Sequence, residues 1–299
     1  MTLVAARVRG ARLVVDWHNL GWAVLALPLG ARHPAVALAR WYEITLGRRA
    51  SAHLCVSAAL REALEARWRM RPVTVLRDRP AERFAPLTVD ARRAQRRRLF
   101  DTLGLGGAET ALIVSPTSWT RDEDFDLLLE AVRRCEALVG GQPGFPHLLV
   151  LLTGRGSRRA RYEEAFAELP GRRVHVRTLW LEPDDYPAAL AAADLGLCLH
   201  RSASGLDLPM KIADLHGAGV PVCALDYGPC LDEILRHEDT GLRFADAETL
   251  ARQWSELFAS FPHATARLDR LRMNVEKARG ATWRAGWDAE ARPVLLARA

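Results

Sequence analysis

Only two lysines stand among forty arginines in this 299-residue chain, and one of them, Lys211, falls in the first turn of a helix expected to open at Pro209. The surrounding text is Ser204-Gly205-Leu206-Asp207-Leu208-Pro209-Met210-Lys211-Ile212-Ala213-Asp214. A helix start offers unpaired N–H groups and the positive end of the helix dipole, which makes it a ready anion site. Arginine is the bulk cation elsewhere, so a compact ammonium here argues for a specific contact with phosphate. Asp214 lies three residues on, with a carboxylate that can accept hydrogen bonds from a ribose. Ser204 and Gly205, in the loop before the helix, permit close backbone approach to phosphate or sugar. Asp207 reads two ways, as a partner of sugar hydroxyls or as an acid favoured by the helix start. Phosphate beside ribose spells a nucleotide.

A second glycine-bearing loop, Gly154-Arg155-Gly156, follows a buried strand and opens a helix. Its N–H groups and the Arg155 guanidinium are expected to face a diphosphate. Asp122, Glu123 and Asp124 contain a D-x-D string that elsewhere holds a metal–nucleotide complex. Following Thr120, they read instead as a capping box and a helix's acidic first turn. His18 ends an early strand and reads either as a group facing a cleft or as a satisfied structural histidine.

The elements that must position these groups are legible from residue 111 onward, where short apolar strands alternate with amphipathic helices. Strands are expected at Ala111–Ser115, His147–Thr153, Val174–Leu179, Leu195–His200, Val220–Leu225 and Leu242–Phe244. Helices are expected from Thr120 to about Leu138, through Leu169, over Asp184–Ala193 and over Ala247–Phe258. That is a doubly wound parallel sheet, whose ligands belong at the carboxyl ends of its strands. Upstream, strands Arg12–Val15, His53–Val56 and Val73–Leu76 with helices Val36–Leu46 and Ala58–Arg67 make a smaller unit with too few strands to be complete. The division is therefore a partial Rossmann-like domain over 1–90, a linker over 91–110, a nucleotide-binding domain over 111–260 and terminal helices over 261–299 that pack back on the body.

A net charge of +6 favours phosphate-bearing partners or an anionic membrane surface. Nucleic acid is not indicated, because no long basic run interleaves with aromatics. The densest run, Arg92 to Arg98, reads as a solvated helix face. Five scattered cysteines without a C-x-x-C pair point to a reducing, cytoplasmic location and away from a zinc site. No stretch reaches ~18 uninterrupted apolar residues; Leu20 to Leu38 is broken by Pro28, Gly30, Arg32, His33 and Pro34.

The pattern Leu208-Pro209-x-Lys211-x-x-Asp214-x-x-x-Ala218-Gly219-x-Pro221-Val222 resembles the donor-site helix of GT-B glycosyltransferases. Longer stretches resemble the chitobiosyldiphosphodolichol beta-mannosyltransferase family: Val15-Asp16-Trp17-His18-Asn19, Trp41-Tyr42-Glu43, Ser118-Trp119-Thr120, Trp180-Leu181-Glu182, Ala193-Asp194-Leu195-Gly196, and Ser204 through Lys211. The resemblance implies an α/β fold of GT-B architecture, two Rossmann-like domains with the N-terminal, acceptor-side one incomplete. Family members carry a membrane anchor and a glycine-rich first half ahead of the residues matched here.

The implied reaction is inverting transfer of mannose from GDP-mannose to an N-acetylglucosamine-terminated, diphosphate-linked polyprenol, by a protein peripheral on the cytosolic face of a membrane. Lys211 and Arg155 would stabilise the departing diphosphate, with His18 near the acceptor. Ser118, Gly154, Gly156, Trp180, Leu181, Ser204, Gly205, Asp207, Asp214 and Glu238 would bind the donor. No metal or further cofactor is expected, and the catalytic base is not assigned. Two alternatives stay open: another nucleotide sugar and acceptor, since guanine is not told from uracil by these loops, or a non-catalytic donor-binding subunit whose partner chain supplies the missing half.

Overall fold

The computed structural model describes residues 2–105, 110–169, 171–280 and 282–297. After a short helix α1 (Thr2–Val8), the first sheet holds three parallel strands in the order β1 (Val14–Trp17), β2 (Ala52–Cys55) and β3 (Val73–Val75). Parallel neighbours need crossovers. Helices α2 (Gly21–Leu29) and α3 (Pro34–Gly47) make the first crossover, and α4 (Ala58–Glu62), prolonged by a π-helical turn to Arg67, makes the second.

Strand β1 extends beyond the expected Val15, because Trp17 is buried against β2 and its indole N–H meets His53 Nδ1 at 3.1 Å. Helix α2 was not expected. Pro28 and Gly30 read as breaks, but Pro28 falls in the helix's last turn and Gly30 provides a left-handed exit at φ 85°.

The second sheet has six parallel strands. Its elements run α5 (Val89–Thr102), β4 (Thr110–Pro116), α6 (Phe125–Val139), β5 (His147–Thr153), α7 (Arg159–Ala167), β6 (Val174–Leu179), α8 (Tyr186–Ala191), β7 (Leu195–Cys198), α9 (Met210–Gly217), β8 (Val222–Leu225), β9 (Gly241–Phe244) and α10 (Ala247–Phe258). The spatial order β6-β5-β4-β7-β8-β9 reverses between β4 and β7, which opens the crevice where such sheets take ligands. Its central strands are mostly apolar because both faces are covered. Trp119, Phe125 and Trp254 pack on one face, and Leu99, Ile212 and Leu215 on the other.

Two expectations change. Most of the segment 91–110 is not a spacer: α5 occupies it to Thr102 and packs against α8. The arginine run on α5 is correspondingly not a wholly solvated face. Arg92 and Arg96, one turn apart, both reach the buried carboxylate of Asp194, at 2.6 and 2.8 Å. Residues 106–109 of that segment lie outside the described residues. The chain between the sheets instead runs through residues 76–88.

The terminal helices α11 (Ala266–Ala278), α12 (Trp283–Gly286) and, after a π-helical turn, α13 (Arg292–Leu296) do return to the body. Arg272 donates to the carbonyls of Ala193 and Gly219, and Arg12 of the first domain donates to those of Val294 and Ala297. Trp283 and Trp287 stack at 5.4 Å. Among the described residues no helix is long and apolar enough to cross a membrane.

Candidate active site

A cleft of about 300 Å³ opens at the carboxyl ends of β4, β5 and β6. It brings together five of the expected residues, Ser118, Gly154, Trp180, Leu181 and Lys211, and adds Arg83, Thr117 and Tyr186. The loops after β4 and β5 are locked to each other. Gly154 adopts φ 102°, and a Cβ there would lie 2.0 Å from the Thr117 carbonyl oxygen. One at Gly156 would lie 2.3 Å from that of Ser118. These glycines are demanded by loop-to-loop packing. The Trp119 indole closes the arrangement by donating to the Gly154 carbonyl at 3.2 Å while its ring stacks on Phe125.

Lys211 enters from the first turn of α9 and is held by Glu123. The buried Glu123 carboxylate also accepts from the N–H groups of Ser118 at 3.0 Å and Thr120 at 3.2 Å. One acid thus ties the β4 loop to the cationic turn of α9. This corrects the capping reading of residues 120–124. The helix opens at Phe125, and only Asp124 caps it, accepting from Leu127 N. Asp122 turns to His200 Nδ1 at 3.1 Å, while His200 Nε2 meets Asp207 at 2.9 Å. Burial alone would lower the His200 pKa, but the two flanking carboxylates outweigh it and hold the imidazole up at about 9. His200 in turn holds Asp122 well below the ordinary carboxylate range.

Asp207 is therefore not a sugar ligand in this structure. It is buried, and its carboxylate is filled by His200, Ser202 and Ser204. Ser204 and Gly205 also miss the cleft. Gly205 makes a left-handed turn at φ 71° and donates its N–H to Ser202, and Ser204 donates to Asn19 Oδ1 of the first domain at 2.9 Å. Glu238 is taken up by Arg267 and Arg270 of α11. His18 is exposed and bonded to Asp16 at 3.1 Å, outside the cleft lining.

Arg155 sits at the rim with its guanidinium 4.1 Å from the centre of the Trp180 ring, and Trp180 Nε1 donates to Glu182 at 3.1 Å. Asp214 lies one turn behind Lys211. Burial raises its pKa to about 6, an effect opposed by Arg83 and reinforced by Asp78. Sequence reasoning missed Glu123 and His200 as organisers, because their partners stand 88 and 78 residues away. It missed Arg83 because the connecting segment carried no motif.

A cleft with an ammonium, a rim guanidinium, an aromatic face and a carboxylate one turn back has the parts needed to hold a nucleoside diphosphate. The family described as glycosyl transferase-like matches residues 121–289. The chain is similar to chitobiosyldiphosphodolichol beta-mannosyltransferase of Homo sapiens, 38% identical over 320 residues that cover 96% of this chain and 68% of that protein. It is also similar to a protein of Arabidopsis thaliana named UDP-glycosyltransferase TURAN, 36% identical over 337 residues, covering 97% and 72%. Among solved structures, Anabaena HepE in complex with UDP and glucose superposes with a TM-score of 0.70 at 16% identity, covering 99% of this chain and 74% of that one. The lipopolysaccharide glycosyltransferase WaaG gives 0.71 at 15% identity, covering 99% and 81%. At those identities the structural likeness speaks to the fold alone.

Proposed function

The chain belongs to the chitobiosyldiphosphodolichol beta-mannosyltransferase family of glycosyltransferases, and from that premise we propose that it transfers mannose from GDP-mannose to a GlcNAc-terminated, diphosphate-linked polyprenol with inversion. The observation that carries this reading is Lys211, oriented by buried Glu123 into a cleft shared with Ser118, Gly154 and Trp180. An ammonium has three donors, and Glu123 occupies one. The others are available to the donor's diphosphate, so the charge is already oriented when substrate arrives.

In the transfer the acceptor hydroxyl attacks the anomeric carbon, the bond from that carbon to the phosphate oxygen breaks, and GDP leaves with the electron pair. Lys211, with Arg155 and Arg83 at the rim, meets the charge that develops on the leaving group without a metal ion being required. The acceptor proton passes to a base on the acceptor side. Trp180 offers a face for the nucleobase, and Asp214 a carboxylate for the ribose. The protein works as a peripheral one at the cytosolic face of a membrane, where a polyprenol-linked acceptor resides.

Titration of the purified chain with GDP and with UDP, alongside Lys211→Ala, tests the reading. Tight GDP binding that weakens roughly 100-fold in the variant is expected, since a charge-assisted contact contributes up to about 3 kcal/mol. Preference for UDP would move the chain to a different nucleotide sugar, a possibility kept alive by the name of the plant relative. Binding of neither nucleotide would count against any donor site in this chain alone.

A further inference from the structure

The first domain carries an apolar surface that the cleft does not use. Helices α2 and α3 expose Val24, Leu27, Leu38, Trp41 and Tyr42, with Leu38 63% and Trp41 62% accessible. Leu38, Trp41 and Tyr42 form one stripe of α3 at helical spacing. Large apolar side chains gathered in this way mark a contact with something other than water. The neighbouring stripe of α3, with Arg40 and Ile44 and continued by Arg48 just past the helix end, turns into a groove of about 300 Å³ completed by Trp22, Arg67 and Trp68. Three guanidiniums line this groove and no carboxylate does. Glu43, the single acid of residues 21–47, instead accepts from the Gly21 N–H at 3.1 Å. Arg40 lies over the Trp22 ring, and Arg48 uses its Nε on the Trp68 carbonyl, which fixes both cations at the wall. The far wall is Ser204 and Leu206, the loop that leads into α9 and Lys211.

We propose that this groove binds the diphosphate of a lipid-linked substrate, whose hydrocarbon chain leaves across the apolar stripe of α2 and α3; the lipid nature of the ligand rests on the function proposed above. Guanidinium forks match phosphate oxygens bidentately, which suits a diphosphate better than a single ammonium would. The apolar stripe lies directly beside the arginine stripe on the same helix, so headgroup and chain are served by adjoining faces. Arg32, Arg40, Arg48 and Arg49 surround the hairpin with positive charge, complementary to an anionic lipid surface. The same charge disfavours a second copy of the chain docked face to face, where like charges would oppose each other. A headgroup held here has its sugar directed toward the loop that adjoins the donor cleft.

The test uses the full chain saturated with GDP and titrated with farnesyl diphosphate, inorganic diphosphate or farnesol, read by isothermal titration calorimetry. Farnesyl diphosphate should bind more tightly than inorganic diphosphate, with farnesol weakest. Replacing both Arg40→Gln and Arg67→Gln, on exposed positions that do not hold the fold, should weaken both diphosphates about tenfold or more. Leu38→Ser with Trp41→Ser should weaken farnesyl diphosphate alone. Absence of binding, binding that GDP displaces, or binding unchanged in the arginine double variant would each overturn the groove assignment. Dissociation of a dimer by Trp41→Ser, without change in farnesyl diphosphate affinity, would give the apolar stripe to a second copy and overturn the path of the chain. GDP binding in the same cell reports separately on the donor reading: GDP without farnesyl diphosphate overturns only the groove, and the reverse leaves the groove standing.

Discussion

Asp214, proposed as the ribose partner, also bears on folding stability through its burial. Burial holds its pKa up at about 6 in the folded chain, whereas an unfolded aspartate releases its proton near about 3.9. Ionising it therefore costs folding stability progressively across that window, and the cost is complete above about pH 6. Asp214→Asn should raise the unfolding midpoint at pH 7.5, and the gain should disappear below about pH 4. If the ionised group accepts from the ribose, the same variant should bind GDP roughly tenfold more weakly at pH 7.5. GDP affinity should then fall more steeply in wild type than in the variant as pH drops through about 6, the variant keeping only the step from protonation of the GDP phosphate itself. The same pH dependence in both proteins would remove Asp214 from the ribose. Lys211 and Gly154, which the fold brings to one cleft, were legible because a rare lysine at a helix start and a glycine after a buried strand are local signals. Asp207 and Ser204 were misread for an equally physical reason. The left-handed turn at Gly205 sends one half of a continuous motif toward the first domain and the other half into the cleft.

Among the elements, α5 depends most on contacts that its own sequence does not reveal. Its mean composition is strongly polar, yet Arg92 and Arg96 converge on Asp194, whose Oδ2 also accepts from Leu112 N of β4 at 2.7 Å. The carboxylate thus joins a helix, the strand beside the cleft and the turn after α8. Removing one partner of a buried ion pair leaves the other charges uncompensated, which is more costly than losing the pair's own attraction. Asp194→Ala should lower stability by about 3 kcal/mol in urea unfolding, and a change under 1 kcal/mol (roughly the ceiling for surface pairs) would show that the arginines find water instead. An arginine run was readable as a helix, but the face it presents was not, because the deciding acid lies about a hundred residues downstream.

For the whole molecule, the decisive contacts are those between the two sheets. Glu233, in the turn Pro229–Glu233 after β8, accepts from the N–H groups of Ala58 at 2.8 Å and Ala59 at 3.0 Å, and pairs with Arg77 at 2.9 Å. Ser57 donates to the Leu206 carbonyl, and the Arg12 guanidinium grips the end of α13. Glu233→Ala leaves the start of α4 and Arg77 without their acceptor, at a cost of about 2 kcal/mol. Faster proteolysis of residues 77–88 is expected, together with weaker GDP binding, because Arg83 of that segment lines the cleft. Unchanged proteolysis would assign the domain arrangement to the other contacts.

The sequence by itself determined the parallel α/β order of residues 111–260, the place of Lys211 in the first turn of a helix and the close loop at Gly154. Each of these is carried by local pattern: apolar runs of strand length, helical periodicity, and residue types that a turn requires. Tertiary structure alone decided which protein groups each carboxylate meets. Asp122, Glu123 and Asp124 look alike on the page, and their fates diverged because partners far along the chain, His200, Lys211 and Arg201, were brought beside them. The energy of a buried charge is set by the neighbours that replace its water, and those neighbours exist only once the chain has folded.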